Sequence, residues 1–216
     1  MAGDYINAPM GIHSELVLHF KSEQDIQVIA SGLDYSPLAS LTKCYDRLCA
    51  AAYFTNQVEQ HCDEGKNTQA AWHFRAAISE LQSFGELFPS DLPNTALAHV
   101  WDRSEIKADL DNHELLSLLT RARNLSLHTA KLPCIVKDHK VIHLPGGERI
   151  HTCLFIGPIQ EKDYGRKRIP ADKLKWFNRQ VELLPAHWIL TEARFIAASA
   201  RINFLEKYEH LDEKPQ

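Results

Sequence analysis

The chain has 216 residues, 44 % hydrophobic and 24 % charged, which is enough apolar material for one substantial core or for a helical domain carrying a small insertion. Its formal charge of −4 excludes a protein that coats nucleic acid without specificity, while leaving room for a local basic site. No apolar run approaches the roughly 18–20 residues needed to cross a bilayer, and Met1-Ala2-Gly3-Asp4-Tyr5 lacks the basic and apolar character of a secretory leader, so a cytoplasmic protein away from membranes is expected.

Residues 1–35 are the least periodic part. Leu16-Val17-Leu18-His19-Phe20 and Ile26-Gln27-Val28-Ile29 each suit a short strand, or the whole segment is an arm that packs on a partner. From Ser36 a helical period begins. Leu38, Leu41, Tyr45, Leu48 and Ala52 recur at steps of three and four, and Gly65 is a stop. A second amphipathic helix is expected from about Asn67 to Phe88, buried through Ala71, Phe74, Ala77, Ile78, Leu81 and Phe84, and broken by Pro89-Ser90-Asp91-Leu92-Pro93. The two form an αα-hairpin. A short helix over Thr95–Trp101 precedes a well-marked start at Asp111 or Asn112, with Glu114 placed as in a capping box, and a helix running to about Ala130 before Pro133.

The period then changes. Cys134-Ile135-Val136, Lys140–Leu144 and Ile150–Ile156 read as two or three strands, with turns at Asp138-His139 and Pro145-Gly146-Gly147, an insertion at about 133–157. Helix returns over Lys173–Leu184 and continues beyond Pro185 to about His210, with Pro185 either kinking one helix or opening a new one. The expected fold class is mainly all-α: a bundle of four or five helices over 36–216, with a small β-hairpin inserted before the last long helix.

Five cysteines (Cys44, Cys49, Cys62, Cys134, Cys153) are scattered and odd in number, which suits reduced thiols better than a disulfide framework. Cys134, His139, His143, His151 and Cys153 gather potential zinc ligands in twenty residues, but without a Cys-x-x-Cys pair, so ordinary strand residues are expected. Gly165-Arg166-Lys167-Arg168, followed by Lys173, Lys175 and Arg179, is the densest basic stretch; Arg166, Lys167 and Arg168 are candidate phosphate or RNA contacts, or a solvated loop.

The chemistry concentrates in Arg123-Asn124-Leu125-Ser126-Leu127-His128. Arginine grips phosphate oxygens in a forked geometry, histidine moves protons near neutral pH, and an amide orients either of them. At about 100° per residue, Leu115, Leu118, Leu119 and Leu125 fall within roughly 60° of Ala122, while Ser117, Asn124 and His128 lie towards the opposite side and Arg121 and Arg123 on the two flanks. Such a polar face is either a solvated surface or half of a shared cleft.

This pattern, an arginine followed by a polar residue and then a histidine late in a bundle helix, resembles the HEPN superfamily (higher eukaryotes and prokaryotes nucleotide-binding). Arg123, Asn124 and His128 match its motif; Arg121 with His128 matches less well because Ala122 follows the arginine. The stretch Ala70–Leu81 resembles the family's preceding long helix, and Glu80 then becomes the acidic residue that supports the motif. The resemblance spans about 36–130 and 171–210, leaving the N-terminal arm and the β-insertion outside. It implies a homodimer in which two motifs face each other, and a metal-independent endoribonuclease with no cofactor. RNA would be cleaved by its own 2′-hydroxyl, leaving a 2′,3′-cyclic phosphate, with Arg123, Asn124 and His128 catalytic and Arg121 and Glu80 supporting. It also implies a setting in toxin–antitoxin, antiviral-defence or RNA-processing systems and a neutralising protein as partner. The alternative is a non-catalytic dimerising scaffold or a partner of a nucleotidyltransferase, with Trp176-Phe177, Arg179 and His187-Trp188 serving that partner, although such aromatics more often belong to a core.

Overall fold

The apolar spacing begun at Leu38 resolves into long helices in the computed structural model, which describes residues 14–20, 26–32, 35–129, 133–143, 147–160 and 170–211, with side chains at 35–124, 133–139, 150–160 and 170–211. The elements are β1 (Ser14–Phe20), β2 (Ile26–Gly32), a 3-10 turn (Ser36–Leu38), α1 (Thr42–Asp63), α2 (Asn67–Asp91), α3 (Thr95–Asp102), α4 (Glu105–Asn112), α5 (Glu114–Thr129), β3 (Cys134–His143), β4 (Gly147–Ile156), α6 (Ala171–Leu183), α7 (Ala186–Tyr208) and a final 3-10 turn (Glu209–Leu211). The class is mainly α with a β-hairpin inserted before the last helices. Seven α-helices are present among the described residues rather than four or five. Ser104 caps an additional one, α4, by accepting from the Lys107 N–H at 3.1 Å, and the Pro185 step separates α6 from α7.

The two N-terminal segments are strands and pair with each other, antiparallel, from Ser14↔Gly32 to Phe20↔Ile26. In the insertion, β3 and β4 pair from Cys134↔Ile156 to His143↔Gly147. The turn expected at Asp138-His139 is absent: both residues lie inside β3, paired with Thr152 and His151, and the Thr152 hydroxyl donates to the Asp138 carboxylate at 3.1 Å. Cross-strand pairing supplies these residues with what a turn would otherwise offer. The second helix also runs past its expected break, through Pro89 to Asp91. Proline in a last turn deletes one N–H bond and leaves the following residues free to stay helical.

The residues cluster into two compact units, with α1, α2 and α7 each contributing to both. The first takes Met1–Ala52, Glu80–His113 and Thr191–Gln216. Its core joins Leu38, Cys44 and Leu48 to Phe84, Phe88, Leu97, Trp101 and Phe204. Phe88, Trp101 and Phe204 meet edge to face, with ring centres 4.6, 5.1 and 5.9 Å apart. The Asp91 carboxylate accepts the Cys44 backbone N–H at 2.9 Å, satisfying a donor left open in the first turn of α1.

Arg201, 6 % exposed, enters this core with its guanidinium 4.6 Å from the Phe84 ring centre and 5.3 Å from those of Phe88 and Trp101. Its Nη1 donates to the Ala197 carbonyl at 2.7 Å, and a side chain at Gly85 would begin 3.1 Å from Nη2, so the glycine makes room for the cation. No carboxylate lies within ion-pair distance among the described residues, and burial brings the Arg201 pKa down to about 10.

The second unit takes Tyr53–Ser79 and Glu114–Leu190. Leu115, Leu118, Leu119 and Ala122 of α5 are buried as the periodicity requires, together with Phe74, Ile78, Leu154, Phe155, Ile156, Phe177 and Val181. The β4 run Cys153–Ile156 is buried on both faces of the strand, whereas Ile150 at its far end is exposed. Asn178 of α6 binds the Ile159 backbone on both sides: its Oδ1 accepts the Ile159 N–H and its Nδ2 donates to the Ile159 carbonyl, each at 2.9 Å. Lys137 of β3 donates to the Glu182 carbonyl at 2.9 Å while its ammonium sits 4.0 Å from the Phe155 ring centre. All five cysteines are free thiols.

Candidate functional site

The polar residues of α5 sit where the helical repeat sends them. With Leu115, Leu118, Leu119 and Ala122 facing inward, Arg121 and Arg123 are half-buried and Asn124 is exposed. Arg123 and Asn124 are consecutive on this helix, and His128, with its side chain outside the described residues, lies in the last turn of the same helix. The Arg123 Nε is shut off from water and has no hydrogen-bond partner among the described residues. At the start of α5 the Glu114 carboxylate lies 3.5 Å from Lys173 of α6.

Glu80 stands on α2 in the first unit, where it accepts from Arg47 Nη1 at 3.0 Å; its carboxylate holds the Arg47 pKa above the usual value. Arg166, Lys167 and Arg168 lie outside the described residues. Of the aromatic stretch read as core before partner surface, Phe177 and His187 are buried, Trp188 is half-buried, and Trp176 is exposed on α6 with Leu183 two turns on.

The Cys/His group of the hairpin is dispersed by its register. His139 and His151 oppose each other, Cys153 opposes Lys137, and Cys134 falls on the other face, opposite Ile156. The His139 ring packs edge-on against Phe155 at 5.6 Å and Trp188 at 5.4 Å, and His151 Nδ1 lies 3.9 Å from the Asp63 carboxylate. Among the described residues no group of three or more His, Cys, Asp or Glu side chains is arranged to hold a metal ion. Burial pushes all five thiols upward, Cys62 to about 11 and Cys44 and Cys153 to about 12, so none is a ready thiolate nucleophile.

Three further histidines in the second unit stand apart from the sequence motif. His187 of α7 is buried, its Nδ1 has no hydrogen-bond partner, and its Nε2 is 3.9 Å from Glu59. Burial, reinforced by His139 and His151, pulls its pKa down to about 4. His61 and His73 bring their Nε2 atoms to 3.1 Å across the α1–α2 turn. The signal for that pair was present as two histidines flanking Gly65, but helical periodicity alone does not say which side chains a turn brings together.

Fold and site together define a mainly α protein with a β-hairpin insertion and an arginine–amide–histidine helix. No protein-family model matches the chain, and neither a curated protein nor a solved structure gives a significant match.

Proposed function

We propose that this protein is a metal-independent endoribonuclease of HEPN type, acting as a homodimer whose two α5 helices share one cleft. The observation that carries the reading is the order of side chains on α5: a half-buried arginine, Arg123, on the flank of the helix, followed at once by an exposed amide and, in the last turn, by His128. In the reaction the RNA 2′-hydroxyl attacks the adjacent phosphorus, the 5′-oxygen leaves, and a 2′,3′-cyclic phosphate and a 5′-hydroxyl result. His128 exchanges a proton with one of these oxygens, Arg123 stabilises the charge gathering on the non-bridging oxygens, and Asn124 orients the pair. Arg121 supports the motif, and Arg166, Lys167 and Arg168 hold the RNA backbone.

The test is incubation of the purified chain with total RNA in EDTA, beside Arg123→Ala, His128→Ala and the double variant. Expected are cleavage with cyclic-phosphate ends by the wild type, loss of at least a hundredfold in each single variant, and unchanged far-UV circular dichroism. Retained activity in both single variants overturns the assignment. A molar mass from light scattering equal to one chain overturns the shared cleft.

A second reading is a non-catalytic dimerising or nucleotidyltransferase-partner module. It is favoured by Trp176 and Leu183, 37 % and 46 % exposed on one stripe of α6. Intact RNA with a folded dimer, and loss of dimerisation on Trp176→Ala/Leu183→Ala, would establish it.

A further inference from the structure

The turn between α1 and α2 is a Schellman cap. Gly65, at φ +72°, donates its N–H to the Cys62 carbonyl at 3.0 Å, and Lys66 donates to the His61 carbonyl at 2.7 Å. Reversing the chain here brings His61 of the last turn of α1 against His73 of α2, within the second unit. Their Nε2 atoms are 3.1 Å apart, with ring centres at 4.9 Å and planes 29° apart. The Phe54 ring also stacks on His73, with centres 5.6 Å apart, restricting its orientation. Glu64 lies 3.5 Å from His61 Nδ1 and is itself gripped by Lys66 at 2.8 Å and by Gln60 at 3.0 Å. The Glu64 carboxylate beside Nδ1 favours the tautomer that leaves the His61 lone pair at Nε2.

We infer that His61 and His73 form a two-imidazole clip for a divalent metal ion that prefers nitrogen ligands, such as Zn2+, Ni2+ or Cu2+. An ion about 2.0–2.1 Å from each Nε2 spans the 3.1 Å gap with an angle of about 98° at the metal, between the square and tetrahedral values. No third His, Cys, Asp or Glu completes the set among the described residues, so water fills the remaining positions. The His61 side chain keeps 17 % of its surface exposed, which provides an entry path. Without metal one ring donates Nε2–H to the other, and on loading that proton moves to the Nδ1 of the donating ring. The bound ion ties the end of α1 to the start of α2, so it stabilises the folded chain in proportion to its occupancy.

The experiment is calorimetric titration of the chelator-treated full chain with Zn2+ and Ni2+, beside His61→Gln, His73→Gln, Glu64→Gln and, as a control on α3, His99→Gln. The wild type and the His99 variant should each take up one equivalent at this site with equal affinity. His61→Gln and His73→Gln should each weaken it at least tenfold, and Glu64→Gln about tenfold. Electron paramagnetic resonance of the wild type with one equivalent of Cu2+ should show coupling to two imidazole nitrogens, a readout that does not depend on how the variants fold. No uptake by the wild type, affinity unchanged by both histidine substitutions, or a copper spectrum without two nitrogens overturns the clip.

Discussion

Arg201 shows how far a single residue departs from what its type suggests. A buried cation is normally matched by a carboxylate, yet this one is held by three aromatic rings and a carbonyl. Charge and volume therefore separate on substitution. Arg201→Ala leaves a cavity among Phe84, Phe88 and Trp101 and should cost about 2–4 kcal/mol in urea unfolding. Arg201→Met keeps most of the volume and removes the desolvation penalty, and should fall within about 1 kcal/mol of the wild type or exceed it. His187 makes the complementary case for pH. Its folded pKa, about 4, lies below the ordinary 6.5, so between these values the unfolded chain binds the extra proton. The stabilisation is complete above pH 6.5 and is lost as pH falls towards 4, by about 3 kcal/mol in total. The Glu59 carboxylate, at 3.9 Å, is too distant to bond the ring and offset this. Burial also lowers His73 and His139, and each acts in the same direction. Urea midpoints at pH 7.5, 5.5 and 4.5 should fall accordingly, with a shallower fall in His187→Phe. Neither residue is legible in the sequence: Arg194 and Arg201, both 6 % exposed, interrupt the apolar run of α7, and only the rings brought from α2 and α3 explain why Arg201 is inside.

At the level of elements, much was readable. The three- and four-residue spacing from Leu38 and from Ala71 gives α1 and α2, Gly65 ends the first of them, and the stripe Leu115, Leu118, Leu119 and Ala122 orients α5 and so its polar motif. What the period could not report is pairing. Asp138-His139 has turn composition, but a partner strand turns it into ladder, and Pro89 has breaker composition, but it falls where a helix has few bonds left to lose. The helix α4 was missed although Ser104-Glu105 is a sound start, because its eight residues hold too short a stripe to register. Two junctions make testable predictions. Gly65→Ala forces a Cβ into the left-handed region and should cost about 1 kcal/mol, with Gly65→Asn costing less. Asn178→Ala strips the Ile159 N–H and C=O of both partners and should cost about 1–3 kcal/mol, which chemical denaturation will measure.

For the whole molecule, the division into two units is the feature least available to sequence reasoning. Each unit is assembled from separated segments, and the long helices belong partly to one and partly to the other, so no composition shift or linker marks a boundary. The candidate site was legible only as a pattern on α5. The periodicity placed Arg123 on the flank and Asn124 away from the core, but it does not report that the Arg123 Nε is shut off from water.

The cage around Arg201 also hands the experimenter an optical label. Of the four tryptophans, Trp101 belongs to the first unit, and Trp72, Trp176 and Trp188 to the second. Trp101 is 2 % exposed and walled in by Phe88, Phe204 and the guanidinium, so a collisional quencher such as acrylamide will extinguish Trp72 and Trp176 first and leave its emission behind. With the other three replaced by phenylalanine, the single remaining indole reports the first unit alone. Its melting curve, set against circular dichroism of the same sample, reveals whether the two units come apart in one step or two.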